Sequence, residues 1–357
     1  MICISPYIVV LHALFILGNK SYASYAVQSN ELTFMFTAPY SSKIDRTGSS
    51  EPHPGFNHDV HNRFIIEHGL AVRAIGIRVA DAREAYEKCI ANGGVGVLPP
   101  HELVDRFTNT TGVISEVKMV DDVVLRWISG DYTGPALPNY EAVPVNFNHS
   151  FGLTRADHIV HNVPNLFEAV DYIMNTTGLH EFAEFTADDV GTVDSGLNSM
   201  VLASNNEYIL LPINEPTFGT RRKSQIQNYL EHNNGAGVQH IALKTEDIFH
   251  TIREMKKRSE WGGFDFMPAP GKEYYNRIPE RIGKDALTAA QLEELEELGL
   301  LADKDDQGVL LQVFTQPICD RPTVFLEIIQ RIGCDLDKAT GEKKEQAAGC
   351  GGFGKVS

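Results

Sequence analysis

Gly237-Val-Gln-His-Ile-Ala-Leu-Lys-Thr-Glu-Asp-Ile-Phe-His-Thr-Ile252 reads as a short apolar strand, a polar turn and the start of a helix. It is the third appearance of one unit. The first is Arg73-Ala-Ile-Gly-Ile-Arg-Val-Ala-Asp-Ala-Arg-Glu-Ala-Tyr86, and the second runs from Asp157 through Asn165-Leu-Phe-Glu-Ala-Val-Asp-Tyr172. In each, the turn places Asp or Asn before an amphipathic pattern, and such side chains accept from the free N–H groups of a helix start. The units are βα repeats.

Further stretches pair across the chain. Leu32-Thr-Phe-Met-Phe-Thr-Ala-Pro39 parallels Tyr208-Ile-Leu-Leu-Pro-Ile-Asn-Glu-Pro216, and Val123-Val-Leu-Arg-Trp-Ile-Ser129 parallels Val324-Phe-Leu-Glu-Ile-Ile-Gln330. The expected fold is α+β, in two related domains split near the Pro-rich residues 134–144. We expect an apolar leader over 1–21, an N-terminal domain over 22–146, a catalytic domain over 153–335 and a tail over 336–357.

Glu327 interrupts an apolar strand, Thr323-Val-Phe-Leu-Glu-Ile-Ile-Gln330. An ionised carboxylate there costs several kcal/mol unless a cation compensates it. His158 and His240 repeat the anomaly in the second and third units, at separations of 240 − 158 = 82 and 327 − 240 = 87 residues. Two imidazoles and a carboxylate form the facial triad of non-haem Fe(II) oxygenases, which leaves coordination positions open. The plainer reading, hydrogen-bonded core histidines and a glutamate paired with arginine, suits any one of them better than all three. His161, three residues from His158, should face the other side of its strand. In the repeat alignment Ala74 stands at the His240 position and Arg126 at the Glu327 position, so the first domain should carry no metal.

Composition fits a soluble globular protein with room for two domains: 357 residues, 43% hydrophobic and 22% charged. A net charge of −16 argues against a nucleic-acid partner, which would need clustered Lys and Arg. The five cysteines are scattered, without a CxxC pair, and read as reduced thiols. The apolar run from Ile8 to Leu17 looks like a secretory segment but lacks a basic start, and it is short for a bilayer.

The segments Glu184-Phe-Thr-Ala-Asp-Asp-Val-Gly-Thr192, Ser195-Gly-Leu-Asn-Ser-Met-Val-Leu-Ala-Ser204, Leu211-Pro-Ile-Asn-Glu-Pro216, Asp306-Gln-Gly-Val-Leu-Leu-Gln-Val-Phe-Thr315 and Gly351-Gly-Phe-Gly-Lys355 strongly resemble the 4-hydroxyphenylpyruvate dioxygenase family, particularly its plant forms. The resemblance runs from about Tyr22 to Lys355. It implies paired βαβββ modules of the vicinal oxygen chelate, or glyoxalase-like, type with Fe(II) in the C-terminal barrel. It carries the iron-ligand roles onto His158, His240 and Glu327, and catalytic roles onto Gln225, Gln239 and Gln312. Ser199 and Asn214 become substrate-binding residues, with Phe314 and Phe353 as walls for the substrate ring.

The implied reaction converts 4-hydroxyphenylpyruvate and O2 to homogentisate and CO2 in tyrosine catabolism, and in plants it feeds plastoquinone and tocopherol synthesis. A hydroxymandelate synthase-like oxygenase, or a truncated iron-binding relative without turnover, is the alternative. The family implies a homodimer, with no membrane or nucleic-acid partner, in the cytoplasm or else the plastid. Family members extend further at both ends, so the expectation is an intact iron site with reduced stability and turnover.

Three other signals are set aside. The glycines and lysine of residues 349–355 lack the Ser or Thr and the helix of a phosphate loop. His53, His58, His61 and His68 read as a solvated loop, and residues 291–298 as a helix with a charged outer face.

Overall fold

The computed structural model describes residues 8–14, 18–134, 136–143, 150–185, 196–219, 222–261, 263–305, 307–333 and 349–352. The first half contains β1 (Ile8–Ala13), β2 (Tyr22–Ser29), β3 (Leu32–Pro39), α1 (His58–His68), β4 (Ala74–Arg78), α2 (Ala82–Ala91), β5 (Gly96–Val104), β6 (Thr111–Val120), β7 (Val123–Gly130) and β8 (Glu141–Ala142). The second half contains β9 (Leu153–Asn162), α3 (Leu166–Thr177), β10 (His180–Phe185), β11 (Leu197–Ala203), β12 (Leu210–Pro216), α4 (Gln225–Asn233) and β13 (Gly237–Thr245). It continues through α5 (Ile248–Lys256), α6 (Lys272–Ile282), α7 (Ala289–Leu298), β14 (Leu301–Lys304), β15 (Val309–Phe314) and β16 (Phe325–Ile332).

The repeated unit forms as its residues dictate. Asp81, Asn165 and Asp247 each cap the following helix through a side-chain oxygen, at the starts of α2, α3 and α5. The α5 helix then buries Ile248, Phe249, Ile252 and Met255 on one face. Residues 291–298 lie in α7, which turns Leu295 and Leu298 inward and starts with a Thr288/Gln291 capping box.

The two halves differ in how their sheets close. In the second half, β9 pairs antiparallel with β13 and joins everything into one eight-stranded sheet, in the order β10-β11-β12-β9-β13-β16-β15-β14. In the first half, the strands remain two four-stranded sheets, β3-β2-β1-β8 and β4-β7-β6-β5. The repeat relation survives within them. Ala74 and Gly76 face Val124 and Arg126 across β4 and β7, as His240 and Ala242 face Phe325 and Glu327 across β13 and β16.

Of the apolar run from Ile8 to Leu17, the described residues Ile8–Ala13 form β1, which lies between β2 and β8 and pairs with β2 from Ile8↔Gln28 to Ala13↔Ser24. Two expectations need correction. The four histidines are not a solvated loop: residues 58–68 form α1, capped by Asn57, and His53 and His68 are buried. Cys89 and Cys319 are free, but Cys350 is disulfide-bonded, so the five cysteines are not all reduced thiols. Among the described residues, no helix is long and apolar enough to cross a membrane.

Candidate metal centre

The ladder registers place the site. Ser199 faces Asn214 across β11 and β12, and Asn214 is level with Asn162 on β9. His158 and Val160 lie opposite Ala242 and His240, which in turn lie opposite Glu327 and Phe325. Glu327 faces Phe314, and Ile329 faces Gln312. Because paired residues share a face and alternate residues along a strand return to it, all of these side chains belong to one face of the eight-stranded sheet. His161 falls on the opposite face, as its spacing requires.

His158, His240 and Glu327 each bring one ligand atom within 4.8 Å of the others. Nε2 of His158 is 3.2 Å and Nε2 of His240 is 3.3 Å from the same oxygen, Oε2 of Glu327. Glu327 is fully buried, and among the described residues neither carboxylate oxygen receives a well-formed hydrogen bond. The opposite edge of each imidazole is engaged. Nδ1 of His158 lies 2.9 Å from Oδ1 of Asp157, and Nδ1 of His240 lies 3.0 Å from Oε1 of Gln239. Both partners accept, so both Nδ1 atoms carry a proton and both Nε2 atoms point at one carboxylate. Two imidazole nitrogens converging on one buried carboxylate oxygen form an N, N, O donor set that suits a divalent metal.

The side chains next to the two histidines reach them through backbone irregularity. The β9–β13 ladder passes from Val238↔His161 to His240↔Val160, leaving Gln239 as an extra residue on β13. It then passes from Ala242↔His158 to Leu243↔Ala156, leaving Asp157 as an extra residue on β9. A β-bulge breaks strict alternation and re-aims a side chain. This explains how Gln239, which a regular strand would turn away from the site, meets the ring of His240.

Protonation follows these contacts. Burial alone would raise the Asp157 carboxyl, but the guanidinium of Arg331 overrides it, with contacts of 2.7 and 3.0 Å, and holds the acid well below the usual carboxylate range. For Glu327, burial again opposes ionisation, yet the two histidines bring its pKa down to about 2. Burial would lower His158 too, but Asp157 and Glu327 raise it above its ordinary value, whereas burial prevails at His240 and lowers it.

Ser199, Asn214, Gln239, Gln312 and Phe314 are all buried on or beside this face. Gln225 is exposed on the first residue of α4. Phe353 lies outside the described residues. Two residues escaped the sequence reading. Phe325 stacks on His240, with ring centroids 4.9 Å apart at 23°, and meets Phe314 edge-on at 5.9 Å. Its position two residues before Glu327 was the available signal, since i and i+2 share a strand face. Asn162 is fully buried, with Nδ2 unpartnered among the described residues and Oδ1 accepting weakly from Asn214 at 3.4 Å.

The fold and this face define a protein of the vicinal oxygen chelate class. The model of the Glyoxalase/Bleomycin resistance protein/Dioxygenase superfamily matches residues 155–282. The chain belongs to the 4-hydroxyphenylpyruvate dioxygenase family. It is 53% identical to the 4-hydroxyphenylpyruvate dioxygenase of Plectranthus scutellarioides over 95% of this chain and 77% of that one. It is 52% identical to that of Arabidopsis thaliana, with the same coverage. A solved structure of a 4-hydroxymandelate synthase variant from Streptomyces coelicolor superposes with a TM-score of 0.74, at 20% identity, over 92% of this chain and 86% of that chain, which is a likeness of fold.

Proposed function

We propose that the chain is an Fe(II)-dependent dioxygenase that converts 4-hydroxyphenylpyruvate and O2 to homogentisate and CO2. The observation that carries the reading is the pair of Nε2 atoms directed at one buried oxygen of Glu327, in a chain of this family. His158, His240 and Glu327 would hold the iron. When bound, Fe(II) would coordinate the 2-oxo acid group and activate O2.

The protein's own residues then bind and orient. Phe314 and Phe325 present apolar faces for a phenyl ring beside His240. Ser199, Asn214 and Gln312 offer neutral donors and acceptors, and Oε1 of Gln312 has no hydrogen-bond partner among the described residues. Such groups suit a phenol or carboxylate that must be held without a competing ion pair. Gln239 and Asp157 fix the imidazole tautomers, and a catalytic role for Gln225 belongs to the same reading. A homodimer, and a cytoplasmic or plastid location, belong to the same reading.

The test is homogentisate formation from 4-hydroxyphenylpyruvate under air with Fe(II) and ascorbate, with O2 uptake followed in parallel. Homogentisate that disappears in His240→Ala supports the proposal. Hydroxymandelate as product, or iron binding without turnover, would overturn it.

A further inference from the structure

Arg331, on β16, is buried and makes contacts in two directions. Its Nε and Nη2 grip both oxygens of Asp157, at 3.0 and 2.7 Å, and Asp157 accepts from Nδ1 of His158. Its Nη1 donates to the backbone oxygens of Cys350 and Gly352, the latter at 2.6 Å. One guanidinium therefore joins the histidine of the candidate metal centre to residues 349–352.

The seat of that segment has its own evidence. Gly351 has φ +81, and a Cβ there would stand 2.7 Å from the Leu310 nitrogen and 2.8 Å from the Val309 carbonyl carbon. Only glycine allows this approach to β15. Leu310 is also the ladder partner of Arg331, so the segment lies over the same strand pair that presents the guanidinium. Arg suits this role because its planar fork can serve a carboxylate on one edge and carbonyls on another, which a lysine ammonium cannot do together.

We propose that Arg331 couples the seating of residues 349–352 to the orientation of His158 through Asp157, so that the glycine segment and metal binding stabilise each other. Arg331 and Asp157 are positioning residues, and the inference rests on the metal reading of His158 given above. Linkage makes the effect reciprocal: whatever unseats the segment weakens metal binding, and metal binding protects the segment.

The test uses the full chain, with reductant present so that the Cys350 disulfide does not itself tether the segment. Co2+ stands in for the metal, with affinity read by calorimetry and the visible spectrum, and amide exchange followed in the peptide covering 349–352. In the wild type, Co2+ should bind and slow that exchange. Asp157→Asn should weaken Co2+ binding by about 10–100-fold, with the secondary structure unchanged, and should abolish the Co2+-dependent slowing. Gly351→Ala, remote from the ligands, should speed exchange and weaken Co2+ binding about 5-fold or more. Arg331→Lys should do both. Faster exchange in Gly351→Ala with Co2+ affinity at the wild-type value would overturn the coupling alone. Absence of Co2+ binding in the wild type would overturn both the coupling and the metal reading.

Discussion

Arg126 and Glu327 occupy the same ladder position in the two halves of the chain: Arg126 stands opposite Gly76, and Glu327 stands opposite Ala242. One position thus carries a fixed cation in the first half and an anion that asks for a cation in the second. Arg126 is answered internally by Glu116, whose Oε1 lies 2.7 Å from its Nε and 2.8 Å from Nε2 of His53. Burial would raise the Glu116 carboxyl, but Arg126 and His53 hold it well below the usual carboxylate range.

The first half should therefore be sensitive to the loss of either partner. Arg126→Met leaves Glu116 charged and buried, and we expect a loss of about 3–5 kcal/mol in urea unfolding. The double variant Arg126→Met with Glu116→Leu should recover most of it, because an apolar pair can replace a buried ion pair. A single variant as stable as the wild type would contradict the buried-pair account.

Chelation should destabilise the second half. A metal that binds only the folded state stabilises by about 2.7 kcal/mol at a free concentration 100 times its Kd, so adding a chelator should lower the thermal midpoint measurably. Glu327→Gln should remove this dependence, since the variant has lost the anion.

Metal affinity should rise with pH. His158 has a pKa above its ordinary 6.5 in the metal-free site, and a metal must displace that proton. Below the raised pKa, affinity should fall about tenfold per pH unit; above it the profile should level. Isothermal titration at several pH values measures this directly. A flat profile would mean that His158 is already neutral in the metal-free protein.

Gln239 should matter through its bulge. Gln239→Leu removes the acceptor for Nδ1 of His240 and should weaken metal binding by about 10–100-fold, with little change in the unfolding midpoint of the metal-free protein. Phe325→Leu should instead raise KM several-fold with metal affinity intact, as an aromatic contact is worth about 0.5–1.5 kcal/mol beyond its area. Interchanged outcomes would mean that the roles are assigned the wrong way round.

Acid sensitivity has a further source in His161. It is fully buried, its ring nitrogens make no well-formed hydrogen bond among the described residues, and burial lowers its pKa to about 3. An unfolded histidine titrates near 6.5, so between those values the unfolded state holds the extra proton and stability falls as pH falls. The slope should approach about 1.4 kcal/mol per pH unit from this residue, and His161→Leu should flatten it in a urea-unfolding series.

The sequence by itself determined the βα repeat, because helix caps and strand periodicity are local: Asp81, Asn165 and Asp247 need only their neighbours. It also singled out His158, His240 and Glu327, since polar groups inside apolar strands stand out without coordinates. Tertiary pairing decided the rest. Whether β9 joins β13 fixes one continuous sheet in the second half and two separate ones in the first, and no local pattern encodes a contact between residues some 80 apart. The bulges at Asp157 and Gln239 arise only from that pairing, because an extra residue exists only relative to a partner strand. So does the grip of Arg331 on Asp157, which spans 174 residues and joins two strands that the chain itself keeps apart.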